Sequence, residues 1–258
     1  MKELKQIGFI VFILMITSFG YAQNETYFEE GNDLYNDGKF AEAVEKYEEI
    51  ISNGEHSADL YYNLGNAHYK LNNIAPSIYY FEKALQLRPN DREITNNIAF
   101  ARNMTIDAIE PVPEVGFQKM LNNVTKLLSF ENWSKLAIFL MFSFVVLFLL
   151  YYFSKSTLKK RILFFGSLSL LVFVGLSVLM AFQSYSLFVK DKPAIVFSQE
   201  AQVKSEPNLR GTLVFTLHEG TKVQILETVE DWNKIKIADG KTGWITTDNL
   251  KMLNPDKS

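Results

Sequence analysis

The stretch LAIFLMFSFVVLFLLYYF-SKSTLKKR-ILFFGSLSLLVFVGLSVLMAF, residues 136–182, decides the fold of this 258-residue chain. It contains two uncharged apolar runs, residues 136–153 and 162–182, which are 18 and 21 residues long. A helix rises about 1.5 Å per residue, so each run is long enough to cross a hydrocarbon core of about 30 Å. Backbone polar groups in lipid must be satisfied within the segment, so we predict a hairpin of two transmembrane helices.

The segment between the two runs, residues 154–161, determines the predicted orientation of the hairpin. It carries four positive charges and no negative charge. Short loops rich in lysine and arginine remain in the cytoplasm. We therefore predict a cytoplasmic basic loop, with both flanking segments on the opposite side of the membrane.

The first 22 residues have the three-part pattern of a secretory signal. Lys2 and Lys5 precede an apolar run from Ile7 to Phe19, and Ala22 supplies a small residue at a cleavage position. We predict a signal peptide over residues 1–22, with an uncleaved N-terminal anchor as the alternative. Either form exports the segment that follows, in agreement with the loop charge. The predicted location is the cytoplasmic (inner) membrane, crossed twice, with both soluble domains on the periplasmic or exterior side.

Residues 111–135 form a linker before the first apolar run. Pro111 and Pro113 disfavour helix at its start. Six apolar residues then recur at helical spacing: Phe117, Met120, Leu121, Val124, Leu127 and Leu128. We predict an amphipathic helix that lies on membrane lipid at the outer boundary. Packing beneath the N-terminal domain is the alternative.

A period of 34 residues organises the segment 23–110. A shift by this period superposes Gly31 on Gly65, Phe40 on Ile74, Ala43 on Ser77, Tyr47 on Phe81 and Ile50 on Ala84. This period and this alternation of small and large residues resemble tetratricopeptide repeats, which are all-α. Pro89 is expected to end a helix and Asp91 to cap the next one.

The resemblance implies a partner-binding face on the first helix of each repeat. The residues expected there are Asn32, Tyr35 and Asn36 in the first copy, and Tyr62, Asn66, Tyr69 and Lys70 in the second. Asn32 and Asn66 are equivalent, and an amide at this position could bind the main chain of a ligand through paired hydrogen bonds. Alternatively, asparagine is simply common at this place in the repeat.

Short alternating strands separated by turn residues such as Asp239-Gly240 occupy residues 191–254. This pattern predicts a small all-β barrel. The strings Leu217-His218-Glu219-Gly220-Thr221 and Gly243-Trp244-Ile245 resemble bacterial SH3-like domains. That resemblance implies a peptide groove, which Trp232 and Trp244 could line, although core packing is the alternative for each.

Composition excludes several chemistries and leaves no motif for catalysis. The chain has no cysteine and three histidines, none of which lie at the spacing of a zinc-binding helix. We therefore expect no metal site, no cofactor and no catalytic residue. The net charge of −3 gives no reason to expect nucleic acid. Residues 24–110 are acidic, with 16 Asp and Glu against 7 Lys and Arg.

The order of these segments resembles the BatE family of the Bacteroides aerotolerance operon. That resemblance implies a scaffold or adaptor in a cell-envelope complex. Its implied partners are membrane proteins with von Willebrand factor A domains and a MoxR-type ATPase system. A peptidoglycan-binding sensor or wall anchor is the alternative. A hydrolase or transporter is a third class, but the two apolar runs carry no charge that could form an ion path.

Overall fold

The computed structural model describes residues 23–113 and 116–254, except for the side chain of Gln118. The predicted signal peptide, residues 1–22, lies outside the described residues. The chain forms two compact units. One unit combines the repeat domain, up to Glu110, with the C-terminal domain from Lys192 onward, and the other spans Pro111–Asp191.

The repeat domain consists of five helices, as the 34-residue period predicts. They are α1 (residues 23–36), α2 (Phe40–Ser52), α3 (Ala58–Lys70), α4 (Ile74–Leu87) and α5 (Arg92–Arg102). A Cβ added at Gly31 would lie 2.5 Å from Cε1 of Tyr47, and one at Gly65 would lie 2.6 Å from Cδ1 of Phe81. Both repeats therefore make the same close contact between a glycine and an aromatic ring, and the predicted repeat alignment is confirmed.

Helix α5 closes the repeat domain in the way that the sequence predicts. Helix α4 ends at Leu87, two residues before Pro89. The carboxylate of Asp91 accepts hydrogen bonds from the backbone N–H groups of Glu93 (2.9 Å) and Ile94 (3.2 Å). The bond from Ile94 lowers the pKa of Asp91. The inner face of α5 is buried, as expected of a helix that begins a third unit or forms a terminal cap.

The C-terminal domain is an antiparallel sheet of seven strands with an SH3-like fold. Its strands are β1 (Pro193–Val196), β2 (Glu200–Lys204), β3 (Leu213–His218), β4 (Lys222–Val229), β5 (Trp232–Lys236), β6 (Thr242–Thr246) and β7 (Leu250–Met252). They are arranged in the order β3-β2-β6-β5-β4-β1-β7. The predicted turn is present, since Gly240 has a φ of +91° and the N–H of Lys241 donates to the carboxylate of Asp239. Strand β7 has no counterpart in the predicted strands, because three residues are too few to reveal an alternating pattern.

The second unit contains α6 (Gly116–Thr125), α7 (Phe130–Phe153) and α8 (Thr157–Lys190). Helices α7 and α8 are strongly apolar, yet only 6% and 11% of their most apolar segments are buried. A core helix of a soluble protein would bury most of such a window. By length and composition, both helices are suited to cross a membrane.

The helical bounds of this unit differ from the predicted ones. The predicted spans, residues 136–153 and 162–182, are extended to Phe130–Phe153 and Thr157–Lys190, and only residues 154–156 connect them. Hydropathy marks only the apolar part of a helix, whereas backbone hydrogen bonding continues through its polar ends. Small residues bring the two helices together: Ala137, Ser167 and Ser177 are buried in this unit.

Apolar and aromatic residues connect the repeat domain to the SH3-like domain. Ile195 and Leu253 are fully buried in the same cluster as the core of the repeats. The rings of Tyr79 and Phe197 meet edge to face, with centroids 5.8 Å apart. Lys251 places its Nζ 4.5 Å from the centroid of Tyr79. The two domains therefore form one docked unit that shares an apolar core.

Two carboxylates of the repeat domain form the polar part of this interface. Asp107 accepts hydrogen bonds from the backbone N–H of His218 (2.7 Å) and the hydroxyl of Thr221 (2.5 Å), and its other oxygen lies 2.7 Å from Nδ1 of His218. Glu82 is nearly buried and pairs with Arg102 (2.6 Å) and Lys222 (2.8 Å). The contacts of Asp107 with His218 and Thr221, and of Glu82 with Lys222, join residues more than 100 positions apart in sequence.

His68 lies within the repeat helices near the same interface and is a buried core residue. Its ring stacks on Tyr80, with centroids 5.5 Å apart and an interplanar angle of 5°. Burial, together with the positive charge of Lys251, lowers its pKa to about 4. The imidazole is therefore neutral at physiological pH and contributes packing.

Candidate interaction surfaces

A ladder of asparagine side chains connects the first helices of successive repeats. Nδ2 of Asn63 donates to Oδ1 of Asn32, and Nδ2 of Asn97 donates to Oδ1 of Asn66, both at 2.8 Å. The hydroxyl of Tyr47 also donates to the same oxygen of Asn32. The amide oxygens of Asn32 and Asn66 are therefore used in the fold, and the side chain of Asn66 also hydrogen-bonds Tyr62.

Four of the seven predicted binding residues line one cavity of about 210 Å³. Its lining consists of Tyr35, Asn66, Tyr69, Lys70, Phe81, Asn97 and Phe100. Burial raises the pKa of Tyr35, so its hydroxyl remains a neutral donor at physiological pH. Lys70 is the one cation in this lining. We call the residues of this lining the repeat face.

The other three predicted residues lie outside this lining. Asn36 is exposed at the end of α1. The hydroxyl of Tyr62 donates to Glu93 (2.8 Å) and accepts from Asn97 (2.9 Å), so it fastens α5 to α3. Asn32, which is equivalent to Asn66, accepts a hydrogen bond from Asn63 and so fastens α1 to α3. The structure thus gives Tyr62 and Asn32 a part in holding the repeats together.

Asn97 and Phe100 belong to the repeat face but were absent from the predicted set. The 34-residue shift superposes Asn63 on Asn97 and Asn66 on Phe100. Extension of the period by one more helix leads from the predicted Asn66 to Phe100, whereas Asn97 corresponds to Asn63, which was not in the predicted set. Phe100 is more than half exposed, which places an apolar ring beside the cavity.

In the SH3-like domain, both predicted tryptophans lie on the face opposite the core. Along β6, Trp244 alternates with the fully buried Ile245, and Trp244 is paired with Lys234 of β5 and Lys204 of β2. Residues directly opposite across a sheet lie on the same face, and Trp232 lies two residues before Lys234. Trp244 is nevertheless buried, with 9% of its surface exposed, and Trp232 is half-buried, so a peptide groove lined by these two rings stays a prediction.

Two lysine side chains cover this outer surface, which we call the tryptophan face. Nζ of Lys204 lies 6.0 Å from the ring centroid of Trp232, and Nζ of Lys234 lies 5.7 Å from that of Trp244. Ammonium groups at this distance are attracted to the ring faces. The tryptophan face is therefore both aromatic and cationic, and it suits a ligand that carries carboxylates.

A larger cavity of about 320 Å³ lies elsewhere in the SH3-like domain and includes none of the predicted residues. Residues of β4 contribute much of its wall, including Ile225, Leu226 and Glu227. Among the described residues, no group of three or more His, Asp or Glu side chains could hold a metal ion.

The comparisons with known proteins identify the two soluble modules. Residues 28–92 match the family model of the tetratricopeptide repeat. Residues 200–251 match that of the bacterial SH3 domain. A comparison with curated proteins found no match. Both matched families are interaction domains, so the predicted module composition is confirmed and the chain carries two modules suited to binding proteins or peptides.

Proposed function

We propose that this chain is a membrane-anchored adaptor of a cell-envelope protein complex. In this proposal the repeat face and the tryptophan face bind protein partners outside the cytoplasmic membrane. The observation that carries it is the docked unit, because two interaction modules share one core although two apolar helices separate them in sequence. The partners would meet one preformed surface rather than two independently tethered domains.

The docked unit also supports the proposed membrane topology. The chain leaves this unit after Glu110 and returns to it at Lys192. A chain that returns to the same side must cross the membrane an even number of times, and α7 and α8 supply two crossings. Residues 154–161 carry four positive charges, which favours a cytoplasmic connection. Both soluble domains then lie on the periplasmic or exterior side.

The repeat face favours an extended peptide ligand with an acidic group. An amide N–H of Asn66 can donate to a peptide carbonyl, and Phe100 offers an exposed apolar ring. Lys70 is exposed at the cavity and can pair with a carboxylate. Two linked weak sites, one on each face, can reach useful avidity through effective concentration.

The test is affinity capture of the full chain with crosslinking in its native host. We expect a stoichiometric companion that is lost in the double variant Asn66→Ala/Phe100→Ala. Asn36→Ala is the matched control, because Asn36 is an exposed asparagine outside the cavity lining. Recovery of the bare protein, or equal capture by all three chains, would refute binding through the repeat face.

The resemblance to BatE proteins extends this proposal to named classes of partner. They are membrane proteins with von Willebrand factor A domains, and a MoxR-type ATPase on the cytoplasmic side. Among the residues that the structure describes, the basic segment 154–161 is the part that would reach a cytoplasmic protein. A photocrosslinker at Lys159 should therefore capture the ATPase, whereas one at Phe100 should capture an exported domain. Capture of an exported domain at Lys159 and of the ATPase at Phe100 would overturn the topology.

The tryptophan face favours peptidoglycan binding as a second candidate function. Wall peptides carry carboxylates, which suit Lys204 and Lys234 beside the rings. The full chain in mild detergent should sediment with wall sacculi, and Trp244→Ala should abolish sedimentation. The full chain is required because Ile195 and Leu253 are buried against the repeats. Absence of sedimentation by the unaltered chain would exclude this function.

A further inference from the structure

Helix α6 packs on the membrane hairpin with its polar side. Asn122 and Thr125 are buried, with 8% and 1% of their surface exposed. The apolar side points away from the hairpin, because Phe117, Met120 and Val124 are 71%, 58% and 39% exposed, and Leu127, in the turn that follows α6, is 73% exposed. An amphipathic helix of a soluble protein has the opposite orientation. This arrangement is favourable where the surrounding medium is itself apolar.

The contacts of α6 fix its level along the hairpin. Oγ1 of Thr125 lies 3.6 Å from Sδ of Met180, and Nε1 of Trp133 donates to the carbonyl oxygen of Thr125 at 3.0 Å. Met180 lies two residues before Phe182, the end of the second apolar run. At about 1.5 Å per residue, the contact is about 3 Å from the end of that run.

Aromatic residues mark the same level. The ring of Phe130, the first residue of α7, lies 5.5 Å from that of Tyr185 and 5.3 Å from that of Phe188. Tyrosine and tryptophan concentrate where hydrocarbon meets headgroups, and Tyr185 and Trp133 both lie at this level. Helix α6 thus joins the hairpin at its boundary with water, and its apolar side continues the lipid-facing surface of α7 and α8.

The charge of α6 fits an anionic surface. From Gly116 to Phe130 the chain contains Lys119 and Lys126 and no acidic residue. Both lysines are exposed. Lysines near a membrane surface are attracted to anionic headgroups, and each raises the equilibrium constant for binding to the membrane surface by about fivefold.

We infer that α6 is a lipid-binding helix that lies in the outer-leaflet interface, with Phe117, Met120, Val124 and Leu127 among the upper acyl chains. Lys119 and Lys126 contact anionic headgroups. The inference rests on the membrane-spanning part of the proposed function and is independent of any protein partner. Its occupant is lipid, because the face is continuous with the exposed surface of the hairpin and carries only positive charge.

The chain has no cysteine, so single spin labels test this directly. The full chain, reconstituted in vesicles with about 30% anionic lipid, carries one label at Met120→Cys, Val124→Cys or the polar control Asn123→Cys. Collision with oxygen and with a water-soluble nickel complex reports depth. Labels at Met120 and Val124 should favour oxygen, whereas the label at Asn123 should favour nickel. In the Lys119→Gln/Lys126→Gln variant, the equilibrium constant for placing α6 in the anionic interface should fall by about 25-fold.

Two outcomes would overturn the inference. Labels at Met120 and Val124 that collide freely with nickel would place the face in water, and labels shielded from both reagents would indicate protein cover. A reference label at Phe142→Cys, on the exposed side of α7, keeps the two proposals distinguishable. If the labels on α6 and the label at Phe142 all favour nickel, the membrane-spanning proposal fails. If the labels on α6 favour nickel while the label at Phe142 lies deep in the hydrocarbon, only the placement of α6 fails.

Discussion

The substitution Asp107→Asn tests whether the two soluble domains are held together by their polar contacts. Asp107 exposes only 11% of its side chain and accepts hydrogen bonds from the backbone N–H of His218 and from Thr221. A hydrogen bond to a charged group contributes about 1.5–3 kcal/mol. Asparagine has the same shape, and its one oxygen can take the place of Oδ2, but its amide is neutral. Each of the three contacts therefore loses about 1 kcal/mol, the difference between a hydrogen bond to a charged group and one to a neutral group. The expected loss is about 3 kcal/mol of docking free energy, or about 100-fold in the docking equilibrium.

Hydrogen exchange of the full chain in detergent measures this loss at the backbone amide of His218. That amide donates to Oδ2 of Asp107 at 2.7 Å, so it exchanges when the interface opens. We expect its protection to fall by about 100-fold in Asp107→Asn. The control is Glu45→Gln, which changes a carboxylate to an amide on the exposed side of α2. A change of less than about threefold, equal to that of the control, would refute a docking role for Asp107.

The same carboxylate makes docking sensitive to acid. Burial raises the pKa of Asp107, but hydrogen bonds from Thr221 and His218 outweigh it and lower the pKa below its usual value. The unfolded chain then binds this proton more readily than the folded chain. The stabilisation is therefore present above about pH 4, the usual pKa of aspartate, and is lost as the pH falls through the lower pKa of the folded state. Hydrogen exchange in acid should detect this loss in the unaltered chain and not in Asp107→Asn.

Three further changes probe packing and charge in the docked unit. Gly65→Ala should lower the free energy of unfolding by about 1–3 kcal/mol, because the new Cβ would lie 2.6 Å from the ring of Phe81; an unchanged melting temperature would contradict this contact. The unaltered chain should lose up to about 3 kcal/mol of its free energy of unfolding between pH 6.5 and 4, because the unfolded imidazole binds a proton there while the folded one, with a pKa of about 4, does not. His68→Gln should remove this pH dependence. Parallel curves of stability against pH for the two chains would refute it. Lys251→Met should reduce protection of the His218 amide by about fivefold, because it loses the attraction to the ring of Tyr79; unchanged exchange would assign Lys251 no role in docking.

The matched control for the repeat glycine lies in α8. A Cβ at Gly175 would meet nothing within 4 Å, so Gly175→Ala should leave the melting temperature unchanged or raise it slightly. A comparable fall in both variants would indicate a general effect of alanine, and not the close approach at Gly65.

The sequence was informative wherever a periodic pattern encodes a local structure. The 34-residue shift identified the contacts of Gly31 with Tyr47 and of Gly65 with Phe81, because both members recur at the same interval. The resemblance to tetratricopeptide repeats also located four residues of the repeat face. The sequence did not reveal β7, because this strand is too short to show a period. The resemblance placed Tyr62 on a binding face, whereas in the structure its hydroxyl joins α3 to α5.

By itself, the sequence determined the modules, their order and the apolar helices between them, because periodicity and hydropathy are properties of consecutive residues. Only the tertiary structure decided that the two soluble modules share one core, through contacts such as Asp107 with His218, which are 111 residues apart. It also decided that Trp232 and Trp244 share the face of the sheet that carries Lys234, and that α6 turns its apolar side away from the hairpin. A local pattern shows that one side of an element is apolar, but which surface covers that side depends on residues distant in the chain.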